Sequence, residues 1–101
     1  MDDNKAILQA IALRLCLRAT YNKATVLLAP HVLYQRNDSY FIDALTISRD
    51  DKPPREEKFG SFNLAGLSDA MVSETPFTIS PLFDRMDAKY RAGTLFMIDA
   101  D

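Results

Sequence analysis

The chain has 101 residues, a formal net charge of −2, 48% hydrophobic and 26% charged residues. These values fit one globular domain and argue against a disordered chain and a protein that binds phosphates through bulk positive charge. The single cysteine, Cys16, excludes an internal disulfide, and no apolar run nears the roughly 20 residues of a membrane span.

Asp2 and Asp3 stand where a signal peptide would be basic, so a reducing, cytoplasmic setting is expected. Asp2, Asp3 and Asn4 offer caps and acidic charge for a helix start. Ile7, Leu8, Ile11 and Leu15 recur at helical spacing, which predicts a helix over 3–13. Leu15, Leu17, Ala19 and Tyr21 then alternate with Cys16, Arg18 and Thr20, the spacing of a strand. Cys16, between two leucines, reads as a small buried hydrophobe rather than a nucleophile.

Asn22-Lys23 makes a tight turn, and a long strand follows from Ala24 to Gln35, with an edge or a bulge expected at Pro30. After a turn at 36–39, Tyr40 to Arg49 is again a strand. A two-residue turn at Asn37-Asp38 sets Tyr34 opposite Phe41, Val32 opposite Asp43, Pro30 opposite Leu45 and Leu28 opposite Ile47. That face should be core. The other carries Leu27, Ala29, His31, Leu33, Tyr40, Ile42 and Ala44, so both faces need cover. The helix could cover one; a second protomer or a ligand could cover part of the other.

Residues 50–57 (DDKPPREE) form a charged, proline-bearing loop. Strand signals resume at Lys58 to Asn63, and Ala70 to Glu74 reads as a short last barrel strand. Phe83, Met86 and Tyr90 predict a short helix over 83–91 that Gly93 would cap, and 94–100 reads as a terminal strand. The expected architecture is mainly β (α+β) in a single domain over 1–101. It has a helix at 3–13, a five-stranded barrel at about 15–74, and a C-terminal helix and strand at about 83–100.

The chemistry is sparse. With 3 glycines there is no phosphate loop, and no CxxC, HExxH or paired-histidine spacing exists. No metal site, cofactor or catalytic residue is assigned. His31 would have to serve any Ser-His-acid or Cys-His site, and inside a strand it reads as a buried, hydrogen-bonded imidazole. Asp43 falls on an apolar face. There it either finds a partner, shifts its pKa upward, or is turned to solvent by a bulge or a barrel rim. The basic residues Arg14, Arg18, Lys23 and Arg36 have few acids near them. Tyr34, Tyr40, Phe41, Phe59 and Phe62 could stack on bases, although aromatics at strand spacing are usually core.

Several segments together resemble the WYL domain, a family named for a Trp-Tyr-Leu run in a central strand. AIALRLCLRATY matches its opening helix and first strand, ATVLLAPHVLYQ the strand with a central proline, and SYFIDAL the next strand. Tyr40, Phe41 and Ile42 stand at the Trp-Tyr-Leu positions, and FNLAGL fits a Phe-x-Leu-x-x-Ile pattern. The tail through Phe77, Tyr90 and Leu95 is similar to that of short, free-standing members. The resemblance implies an Sm-like, SH3-type small barrel after a helix. It also implies a non-catalytic module of bacterial transcription regulation that binds nucleotides or nucleic acid through basic residues. The family's arginines in the FNLAGL segment correspond to Asn63 and Gly66, and the one before the central proline to Val26, so that grip is missing here. The ligand surface expected is centred on Tyr40, His31 and Tyr34, with Arg14, Arg18 or Arg36 supplying charge. The alternative is a structural protein that pairs with a copy of itself, or with a partner protein, through its semi-apolar barrel face.

Overall fold

The computed structural model describes residues 3–91 and 93–100. Asp2, named above as a cap candidate, lies outside them. Helix α1 (Asp3–Leu13) opens the chain. It buries Ile7, Ala10 and Ile11, an i, i+3, i+4 stripe, and leaves Leu8 at the surface. Arg14 follows in the left-handed conformation, which ends the helix and turns the chain into β1 (Leu15–Tyr21).

Strands β2 (Ala24–Arg36), β3 (Ser39–Arg49), β4 (Phe59–Asn63), β5 (Leu67–Pro76) and β6 (Thr94–Met97) complete one antiparallel sheet. Its path is β4-β3-β2-β1-β5, with β6 paired to β2. Among the described residues no pairing joins β4 to β5, so the sheet is not closed. Three turns repeat one device: Asn22-Lys23, Asn37-Asp38 and Asp50-Asp51 all have positive φ at both central positions. That is the type I′ geometry whose twist suits a hairpin, reached here without glycine. The third turn, inside a segment expected to be loop, bridges Arg49 to Lys52.

The register of the central hairpin matches the sequence reading near its turn and departs from it further out. Tyr34 faces Phe41 and Val32 faces Asp43, as the two-residue turn dictates. His31 is then an extra residue on β2, so Pro30 faces Ala44 rather than Leu45, and Leu28 faces Thr46 rather than Ile47. Ile47 restores the register, putting Leu27 opposite Ser48. A one-residue insertion reverses which side chains face which way. The face expected to be continuous is therefore split. Val26, Leu28 and Leu33 pack into the main core with α1, while Val32 and Tyr34 pack with Tyr90 in a second cluster.

The same irregularity explains a proline in a central strand. Along one edge, the first half of β2 pairs β1 as far as Leu28 and the second half pairs β6 from Val32. Pro30, which has no N–H, falls between those two partners.

The expected helix over 83–91 does not form. Asp84 and Asp87 capture backbone N–H groups of Met86 and Lys89 at 2.9 and 3.0 Å, and the segment becomes short turns with one 3-10 turn at Ala88–Tyr90. Aspartates compete with the backbone in this way wherever no tertiary packing enforces a helix. The segment from Phe77 to Ile98 instead lies over the second face, where Phe83, Tyr90 and Met97 supply cover from within the chain. Gly93 is not a helix cap. Its backbone approaches Gln35 so closely that an added Cβ would sit 2.1 Å from the Gln35 carbonyl oxygen. Gly93 O accepts the Gln35 N–H at 2.8 Å.

Two backbone predictions follow from this geometry. Gly93→Ala should lose about 1–3 kcal/mol in urea unfolding, because the clash is with backbone and cannot be relieved by a rotamer change. Lys23→Gly should gain about 1 kcal/mol by removing a left-handed lysine, and an unchanged midpoint would refute that turn assignment.

Candidate functional site

The buried polar residues converge on Asp43, whose side chain has no solvent exposure. β3 sets it between Val32 on β2 and Ser61 on β4 by direct pairing. Its Oδ1 accepts from Tyr34 Oη at 2.7 Å and Ser61 Oγ at 2.6 Å. Its Oδ2 accepts from Tyr90 Oη at 2.5 Å and pairs with Lys89 Nζ at 2.8 Å. Both oxygens are thus occupied twice. Burial alone would push this carboxyl upward, but the bonds from Lys89, Ser61, Tyr90 and Tyr34 outweigh it and hold the pKa below the usual range. Burial, reinforced by Asp43, pushes Tyr34 up to about 12 and Tyr90 higher still. The anion is fixed, and its neighbours are fixed as donors.

His31 is the second polar node, also with no exposure. Nδ1 lies 2.8 Å from Ala29 O, which can only accept, and Nε2 lies 2.9 Å from Ser80 N, which can only donate. The ring is therefore the neutral Nδ1–H tautomer, with neither nitrogen free. Phe59, Phe77 and Phe83 surround it, each with centroid 5.1 Å away. Burial lowers its pKa, against weaker opposition from Ala29 O and Asp43. Among the described residues no buried side-chain nitrogen or oxygen lacks a partner. No group of three His, Cys, Asp or Glu among them could hold a metal, and no described helix is long and apolar enough to cross a membrane.

The ligand surface expected from sequence is not brought together. Tyr40, 46% exposed, lines a shallow apolar groove of about 380 Å³ with Leu8, Leu33, Leu64 and Leu95. His31 and Tyr34 are buried, with every polar atom engaged inside the fold. Arg14 sits at the end of α1 and donates to Asp99 O at 2.8 Å. Arg18 is exposed on β1 and Arg36 is exposed beside the β2–β3 turn. None of the three lines the Tyr40 groove.

A different concavity does gather cations. An open cleft of about 500 Å³ between β3, β4 and their connection is lined by Arg49, Lys52 and Lys58 with Phe59, Phe62 and Gly60. The sequence reading missed it because residues 50–57 read as one mixed-charge loop. The signal available was Asp50-Asp51, the same kind of αL-tolerant pair as Asn37-Asp38, which sets Arg49 beside Lys52.

Both titratable nodes should make the fold acid-sensitive, in separate windows. His31 has an ordinary value of 6.5, lowered in the fold, so below about pH 6.5 the unfolded chain takes up a proton that the folded chain refuses. Stability should fall as pH drops through that window, and fall again below 3.8 as Asp43 is protonated in the unfolded chain first. Urea midpoints measured from pH 8 to 3 would show both steps, and His31→Asn should flatten the first. Asp43→Asn should cost about 3 kcal/mol at neutral pH, since it strands Lys89 and turns an acceptor into a donor facing donors.

No family model matches this chain, and no curated protein and no solved structure is significantly similar to it.

Proposed function

We propose that the chain is a non-catalytic, ligand-binding regulatory module of the WYL type, carried on a small Sm-like, SH3-type barrel and working in the cytoplasm. The observation that carries this reading is the state of Asp43 and His31. Both are buried and fully engaged inside the fold, while among the described residues no carboxylate lines the β3–β4 cleft or the Tyr40 groove. Chemistry needs a group with a free lone pair or proton near the working pH. The barrel is supported by the strand path β4-β3-β2-β1-β5, whose outer strands are joined through the single 3-10 turn Leu64–Gly66. The ligand class, a nucleotide or nucleic acid, rests on the resemblance.

A thermal-shift series with mononucleotides and with cyclic and linear oligonucleotides tests it. A true ligand at a hundred times its Kd should add about 2.7 kcal/mol, a rise of several degrees. No stabilisation by any of them would remove the nucleotide version.

A second reading, self-association, is favoured by one observation: Leu8, Tyr40, Leu95 and Phe96 are all exposed, three of them around the same groove. Light scattering at micromolar concentration should then give a dimer mass that Tyr40→Lys returns to monomer. A monomer in the parent chain ends this reading.

A further inference from the structure

Gly60 is where the core face of the sheet lacks a side chain. Directly opposed residues share a face, so Phe62 lies with Ile42, and Gly60 with Ala44. Ile42 and Ala44 are both in the main core, and Thr46 continues the same alternation. A Cβ placed on Gly60 meets no atom within 4 Å, so the missing side chain leaves open space, and that space is part of the β3–β4 cleft.

The polar lining is one-sided. Arg49, Lys52 and Lys58 supply positive charge, Thr46 supplies a hydroxyl, and no carboxylate lines the cleft. None of the three cations is paired with an acid among the described residues. Asp50, the acid nearest in sequence to Arg49, is turned to β2. Its Oδ1 accepts from Thr25 N at 3.0 Å and its N–H donates to Thr25 O at 2.7 Å.

The cations also stand on tethered backbone. Arg49 and Lys52 exchange two backbone bonds, of 2.9 and 3.0 Å, and Lys58 O accepts from Thr46 N at 2.9 Å. Pro53 and Pro54 stiffen the segment between them. A site whose charges are placed before binding loses less entropy on binding. The volume, about 500 Å³, lies within the roughly 300–1,000 Å³ of small-molecule sites.

We propose that the β3–β4 cleft binds a small organic anion in which a flat ring carries a phosphate or carboxylate. The ring packs against Phe62 and the space over Gly60, and the anion is held by Arg49 with Lys52 and Lys58. Guanidinium matches either anion in two-point geometry. The inference rests on the reading of the chain as a ligand-binding module and names that module's site.

The test is a titration of the ¹⁵N-labelled protein, followed by amide shifts, with phenyl phosphate, benzoate, adenosine monophosphate, inorganic phosphate and benzyl alcohol. The expected result is saturable movement of the amides of Lys52, Lys58 and Gly60 with at least one ring-bearing anion. Benzyl alcohol and inorganic phosphate should bind about tenfold or more weakly, since each supplies only half of the recognition. Gly60→Leu should abolish binding without lowering the melting temperature, because it fills open space in a strand. Arg49→Gln should weaken binding by about tenfold and reduce its salt dependence.

Binding that survives Gly60→Leu overturns the site. So does binding of adenosine monophosphate that moves only the amides near Tyr40 and Leu95, although the module reading then stands. Binding of benzoate and phenyl phosphate but not the nucleotide keeps the site and removes nucleotides as its ligand. No movement with any probe at millimolar concentration overturns both.

Discussion

A carboxylate with no solvent exposure is tolerated only when its lost hydration is replaced bond for bond. Asp43 meets that condition through four donors drawn from three places in the fold: Tyr34 on β2, Ser61 on β4, and Lys89 with Tyr90 on a turn that crosses the sheet. The arrangement does more than neutralise a charge. It fixes how the hairpin, its neighbour and the crossing segment sit together, because each donor must arrive within hydrogen-bond distance of the same two oxygens. Apolar packing of Val32, Tyr34, Phe83 and Met97 would hold the crossing segment somewhere on this face; Asp43 determines where.

His31 works beside it by a different route. The extra residue in β2 leaves the Ala29 carbonyl to bond with the His31 ring, and the other ring nitrogen receives Ser80 N–H. His31 O accepts Ile98 N–H at 2.8 Å. A single bulged residue thus holds the crossing segment near both of its ends. This accounts for a histidine and an aspartate in the middle of the most apolar strands without appeal to catalysis. It also separates two surfaces of different character: an apolar groove at Tyr40 and a cationic cleft at β3–β4.

Much of this was legible in the sequence where the period was clean. The change from i, i+3, i+4 spacing to alternation at Leu15 marks the helix end, and Asn37-Asp38 fixes the hairpin register at Tyr34 and Phe41. The oddness of Asp43 was visible too, because an acid stood in an apolar alternation. Its four donors were not, since Lys89 and Tyr90 are distant in sequence and sit in a segment whose spacing imitates a helix. Pro30 announced an irregularity, but which residue would bulge, and hence which face Leu33 and Tyr34 would take, depended on the shared edge of β1 and β6. The cationic cleft was hidden for a related reason. Residues 50–57 mix acids with bases, and only the third type I′ turn sorts Arg49 and Lys52 to one side and Asp50 to the other.

The placement of those donors has a consequence for how the chain is made. Tyr90 follows Asp43 by 47 residues, so on a growing chain the central hairpin is complete long before two of the four partners of its acid exist. Until then the face that carries Asp43 lacks its cover, and water stands in for Lys89 and Tyr90 beside Tyr34 and, later, Ser61. Docking of the crossing segment is therefore the step that dehydrates the acid and partners it at once, and nascent chains stalled before residues 89 and 90 should keep this face of the sheet open to water.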